Sequence, residues 1–136
     1  MFKYQKKKWI AEGFKRTFSR ECPVHFLGLW DTVKSIGWIY DPVNLPYTMN
    51  NPSVGVVRHA ISIDERRALF RSNLWGAGTD EQDVLQVWFA GVHSDVGGGY
   101  PENESGLAKI AMQWMVEEAQ KFGLLVDLEK YKTGRT

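Results

Sequence analysis

Val24-His25-Phe26-Leu27-Gly28-Leu29-Trp30-Asp31 is the stretch that decides the fold. Seven positions in near-continuous apolar sequence suit a strand covered on both faces, as strands of parallel sheets are. A second run of the same kind, Val84-Leu85-Gln86-Val87-Trp88-Phe89-Ala90-Gly91-Val92, ends at His93. Each run therefore delivers a chemically able side chain at its carboxyl end, where ligands bind in open α/β sheets because loops and helix N-termini converge there.

Working outward, residues 2–19 place Ile10, Phe14 and Phe18 at four-residue spacing beside Trp9, among lysines and arginines, which predicts an amphipathic helix lying on the sheet or, as the alternative, attached to a membrane surface. The first twenty residues carry seven basic residues against the single acid Glu12. Pro23 stops that helix. Asn51 as N-cap with Pro52 at the first helical position predicts a second helix, lined by Val56, Val57, Ala60, Ile61 and Ala68. Gly76 to Asp80 forms a loop into the second strand. Ser105 is expected to cap a third helix running to about Phe122, with Leu107, Ile110, Trp114 and Ala119 inward and Gly123 as its stop.

The composition sets bounds. In 136 residues, a hydrophobic fraction of 43% supports one cored domain, and a net charge of +1 gives no global attraction to nucleic acid. The single cysteine, Cys22, excludes an internal disulfide and a cysteine-rich zinc site, and is expected to be a buried small hydrophobe. No apolar run approaches the ~20 residues of a membrane-spanning helix, and residues 1–20 lack the apolar core of a signal peptide. The expected place of action is the cytoplasm, or outside it by a secretion route that needs no signal peptide.

Asp31 and His93 stand 62 positions apart, acid before histidine, each just past an apolar run. A carboxylate that fixes an imidazole's tautomer creates a general base, and this order matches the second and third members of the Ser…Asp…His series of α/β-hydrolases. The alternative reading makes Asp31 a loop cap and His93 a hydrogen-bonded structural histidine. His25 and His59 read as satisfied core or helix histidines. The serine of such a site sits in a Gly-x-Ser-x-Gly turn. Ser19 lacks flanking glycines and a preceding strand and reads as a helix-end serine; Ser35, Ser53, Ser62, Ser72 and Ser94 lack that context too. Asp95 has three readings: a hydrogen bond within its turn, a metal ligand with His93, or the triad acid in place of Asp31, a place for which Asp64 is also a candidate. Gly97 to Gly99 are read either as a tight turn or as a backbone approach to an oxyanion or phosphate.

The string Gly91-Val92-His93-Ser94-Asp95-Val96-Gly97-Gly98-Gly99-Tyr100, with Phe26-Leu27-Gly28-Leu29-Trp30-Asp31-Thr32-Val33 and Asp64-Glu65-Arg66-Arg67-Ala68-Leu69-Phe70, resembles a family of uncharacterised α/β-hydrolases. Phospholipase effectors of the type VI secretion system belong to that family, and the resemblance covers roughly residues 14 to 122. It implies a partial α/β-hydrolase fold, with a mostly parallel sheet flanked by helices, in which Asp31 and His93 are catalytic. It also implies that residues 1–136 are the C-terminal portion of one such domain, the serine-bearing half lying upstream. The expected function is a serine esterase or phospholipase-type hydrolase acting on a lipid or other ester, with no cofactor and with the missing half as partner. An inactive truncated fragment or interaction module is the alternative, and metal-dependent hydrolysis through His93 and Asp95 ranks last. Trp38, Ile39, Tyr40 and Tyr47 read as candidate lid residues or simply as buried aromatics.

Overall fold

The computed structural model describes residues 2–33, 37–38, 41–42 and 49–133. Helix α1 (Phe2–Phe18) leads into strand β1 (Val24–Trp30), followed by the short antiparallel pair β2 (Gly37–Trp38) and β3 (Asp41–Pro42). Strand β4 (Val54–Ser62), a helical turn at Ala68–Phe70 and strand β5 (Asp83–Phe89) come next. Helices α2 (His93–Gly97), α3 (Gly106–Lys121) and α4 (Leu128–Thr133) complete the chain.

Among the described residues the main sheet is three-stranded and entirely parallel, in the order β1-β4-β5. Phe26 pairs with Val56 and Trp30 with Ala60, while Val56 pairs with Asp83 and Ser62 with Phe89. One face packs Ala60 against Val96 of α2 and Ala111 and Met115 of α3, with Phe26, Phe89 and Trp114 at its margin. The other packs Val57 against Trp75, flanked by Leu27, Leu29 and Val84. Gly28 makes room for α3: a Cβ there would stand 2.9 Å from the Met115 sulfur.

The central strand is the segment that the sequence pattern assigns to a helix at 52–68. Val56, Val57, Ala60 and Ile61 satisfy a helical stripe, but Val54, Val56, Val57 and Ile61 are β-branched and lose side-chain freedom in a helix. Asn51 caps a turn instead, its Oδ1 accepting the Ser53 N–H at 3.0 Å. All of β4 except Gly55 is buried. β1 and β5, expected to be covered on both faces, are half-buried flanking strands: Trp30 and Trp88 are 39% and 52% exposed. Among the described residues β1 has a strand neighbour on one side only.

Four further expectations are corrected. Cys22 is exposed, because it lies in the extended segment between α1 and β1 rather than in the core. The inward side of α3 is Ala111, Met115, Glu118 and Ala119, while Leu107 and Ile110 face solvent. Small Gly28 and Ala60 on the sheet admit that narrower stripe, and Glu118 is buried because it answers a buried arginine. In α1, Trp9, Ile10, Phe14 and Phe18 are all exposed, so this helix lays no apolar stripe on the sheet. Ser19 does close it, through its hydroxyl on the Lys15 carbonyl. Ser105 precedes α3 but makes no side-chain cap; its hydroxyl bonds back to the Glu102 carbonyl. Ile39, Tyr40, Tyr47 and Ser35 lie outside the described residues, as does the side chain of Trp38.

Candidate active site

β1 ends by releasing Asp31 into a left-handed turn, with φ of 40°. That conformation is uncommon for a residue with a Cβ, though aspartate tolerates it better than most. It is held by the Asp31 N–H on the Ala60 carbonyl at 2.7 Å and by a fully buried carboxylate. Oδ1 accepts the Ser62 backbone N–H at 2.9 Å and the Ser72 hydroxyl at 3.3 Å. Oδ2 accepts the Ser62 hydroxyl at 2.7 Å and faces Nδ1 of His93, also at 2.7 Å. Four groups from three segments thus converge on one carboxylate.

His93 opens α2, four residues beyond Phe89. Its path is set by Gly91, whose φ of 103° and closeness to Asp95 exclude any side chain: a Cβ would lie 2.4 Å from that of Asp95. Asp64 pins the turn, its N–H on the Gly91 carbonyl and its Oδ2 on the Gly91 N–H at 2.8 Å. Asp95 accepts the Val92 N–H at 2.9 Å, which is the first of its three sequence readings. The His93 backbone N–H donates to Glu65 at 3.2 Å, and the Phe70 ring lies 5.0 Å from the imidazole. With Nδ1 committed to Asp31, and the side chain 27% exposed, Nε2 is the ring atom left to act.

Behind this pair stands His59, fully buried on β4. Its Nε2 accepts the Thr32 N–H and its Nδ1 faces Oε1 of Gln86, each at 3.3 Å, a pattern that a neutral ring satisfies. Burial pushes its pKa down from the ordinary 6.5, against the hydrogen bond to Gln86 and the charge of Asp31. By holding Thr32, His59 fixes the turn that carries Asp31. Glu65 is pulled down to about 2 by its hydrogen bonds to Arg67, so it remains an acceptor for the start of α2. Arg67 in turn covers Phe70 at 4.0 Å.

His25, by contrast, is exposed at the opposite strand end and contacts the Phe122 carbonyl. Gly98 ends α2 with φ of 85°, its N–H on the Ser94 carbonyl, and open space surrounds Gly97, Gly98 and Gly99. Among the described residues, no cluster of His, Cys, Asp and Glu has the makings of a metal site. Nor does any described serine hydroxyl hydrogen bond to His93, and no helix is long and apolar enough to cross a membrane. Ser62, Ser72, His59 and Glu65 were missed as parts of the site; the only signal available was the polar run Ser62–Arg67 following an apolar segment.

A parallel sheet flanked by helices, with a buried carboxylate and a partly exposed imidazole meeting at its carboxyl edge, defines a partial α/β fold whose ligand-binding edge carries an acid–base pair. The chain belongs to the family described as "T6SS, Phospholipase effector Tle1-like, catalytic domain", which it matches over residues 2–118, and the family is one of hydrolases. It is also similar to "Uncharacterized protein YEL023C" of Saccharomyces cerevisiae, 47% identical over 64 residues. That match takes in 46% of this chain and 9% of the yeast protein's length. No solved structure matches the chain.

Proposed function

We propose that Asp31 and His93 are the acid and the base of a Ser-Asp-His ester hydrolase of α/β-hydrolase type, acting on lipid esters. The observation that carries this reading is the 2.7 Å contact between the buried Asp31 carboxylate and His93 Nδ1, which leaves Nε2 for a substrate-side proton. In such a site Nε2 takes the proton of a serine hydroxyl as its oxygen attacks the ester carbonyl, and Asp31 stabilises the imidazolium. The imidazolium returns the proton to the departing alcohol, and water repeats the sequence to free the acid. The serine comes from a Gly-x-Ser-x-Gly turn N-terminal to the residues described, and residues 1–136 supply the C-terminal part of the domain.

The test is an esterase and phospholipase assay of the chain alone and mixed with a segment bearing that turn. Activity only in the mixture, abolished by His93→Ala, is the expected result. Turnover by the chain alone would place the nucleophile within it and overturn the serine assignment. Silence in both would favour a non-catalytic interaction module.

A further inference from the structure

The loop after β4 grips the turn after β5 at alternate residues. Asp64 closes on Gly91, and Glu65 closes on His93, accepting its backbone N–H at 3.2 Å. The Glu65 side chain is 3% exposed. Arg67 claims both of its oxygens: Oε1 accepts the Arg67 backbone N–H at 2.7 Å and Nε at 2.9 Å, and Oε2 accepts Nη2 at 2.6 Å. The same guanidinium lies over the Phe70 ring, 4.0 Å from its centre. That ring stands 5.0 Å from the imidazole of His93, tilted by 58°. The contacts form a circuit that leaves His93 by its backbone and returns to it at its ring.

Asp31 alone does not fix the direction of Nε2. The bond joining a histidine ring to its Cβ has a broad, roughly two-fold torsional preference, so one hydrogen bond at Nδ1 leaves the ring free to tilt or turn over. A backbone held at its N–H and a ring covered by an aromatic add two further points, and three points define a plane. Arg67 joins those two points. A fork that bonds a carboxylate in two places while its flat face stacks on an aromatic is a task for guanidinium and not for the compact ammonium of lysine. Arg67 is itself 55% exposed, so replacing it leaves the core intact. Misplacing a reacting group by about 1 Å can cost ~10²-fold in rate, so orientation matters out of proportion to the few contacts that set it.

We propose that Glu65 and Arg67 are positioning residues for His93, holding its ring through the α2 backbone and through Phe70 so that Nε2 keeps one direction. The proposal rests on reading His93 as a base, but its first test needs no turnover. The full chain, carrying isotope-labelled histidine, is studied by long-range proton–nitrogen spectra at a pH where the nitrogen shifts show the ring to be neutral. A neutral imidazole bears its proton on one nitrogen, and the spectra report which. The wild-type ring is expected to hold a single tautomer, protonated at Nδ1 toward Asp31, with a dipolar contact to Phe70. Glu65→Ala and Arg67→Ala are each expected to weaken that contact and to raise the Nε2–H tautomer about threefold or more. Arg66→Ala, which removes the same charge one residue away, is expected to change neither. Arg67→Lys should behave as Arg67→Ala, and Glu65→Gln, which keeps an acceptor for the His93 N–H, should fall between. Every chain is read below its own melt, and if the alanine variants do not fold, Glu65→Gln and Arg67→Lys carry the test. Wherever ester turnover is observed, Arg67→Ala should lower kcat about tenfold and leave KM within about twofold. A tautomer and ring contact untouched by these substitutions, or moved equally by Arg66→Ala, overturn the positioning role and leave the ring to Asp31 alone. A mixed tautomer in the wild type overturns it equally. A silent hydrolysis assay leaves the spectra readable, and failure of the positioning role leaves the Asp31–His93 contact in place.

Discussion

β4 carries two buried polar clusters, and they differ in what their bases can do. Arg58 lies four residues before Ser62, about 13 Å along the strand. Its Nε donates to Glu118 at 2.7 Å, while Nη1 and Nη2 clasp Asp83 at 3.0 and 2.8 Å. Past the carboxyl end of the strand His93 meets Asp31 at the same 2.7 Å. Every nitrogen of the guanidinium is bonded within the fold, and a guanidinium keeps its proton at any ordinary pH. An imidazole exchanges its proton near neutrality, and His93 has one nitrogen uncommitted. Equal distances thus make a lock in the middle of the strand and, beyond its carboxyl end, a pair with one ring nitrogen to spare.

The largest expected effect falls on the Asp31–His93 pair. Wherever ester turnover is observed, His93→Ala and Asp31→Asn should each lower kcat by about 10⁴-fold, since both remove the same oriented base. The double variant should be no worse than the poorer single one. Losses that multiply instead would show that the two residues act separately and would break the comparison.

Stability should respond most at the lock. Arg58→Met leaves Glu118 buried with only the exposed Lys121 to answer it, and is expected to cost about 3 kcal/mol in urea unfolding. Asp83 is half-exposed and adds little. Adding Glu118→Met should recover most of the loss, because a well-packed apolar pair can replace a buried ion pair almost without cost. A single substitution costing under about 1 kcal/mol would mean that the network is not a lock.

These two clusters were unequally legible in the sequence. The meeting of Asp31 with His93 could be anticipated because each terminates an apolar run, and parallel runs bring their carboxyl ends to one edge. Ser62 and Ser72 could not, since their place at the carboxylate depends on the register of β4 against β1 and on the path of a loop. A helical reading of β4 removes the frame in which they are visible: four apolar positions fit both periods, and only the β-branched content decides between them. Arg58 and Glu118 lie 60 positions apart on different elements, and local pattern carries no trace of such a pairing. The same helical reading hides His59, which is unremarkable on a helix and central on a buried strand.

His59 links the two clusters through pH. Its pKa is lowered in the fold, so the native ring refuses a proton that the unfolded chain accepts. Its contribution to stability is complete above about 6.5 and declines as pH falls below that value. Urea unfolding at pH 7.5 and 5.5 should show lower stability at the acid value, and His59→Gln should flatten the slope. An equal slope in the variant would assign the acid sensitivity to another group.

The smallest effect should come from Ser72. Its hydroxyl reaches Asp31 at 3.3 Å, near the limit of a useful hydrogen bond, while Ser62 supplies a hydroxyl at 2.7 Å and a backbone N–H at 2.9 Å. Hydrogen bonds to a charged group are worth about 1.5–3 kcal/mol when well made, so Ser62→Ala should be felt clearly. Ser72→Ala should cost no more than about 0.5 kcal/mol, because three donors remain on the carboxylate. If the two serines proved equivalent in unfolding experiments, the carboxylate would depend on the loop as much as on β4. The Asp31–His93 pair would then be held by movable parts, unlike the lock, which joins two strands and a helix.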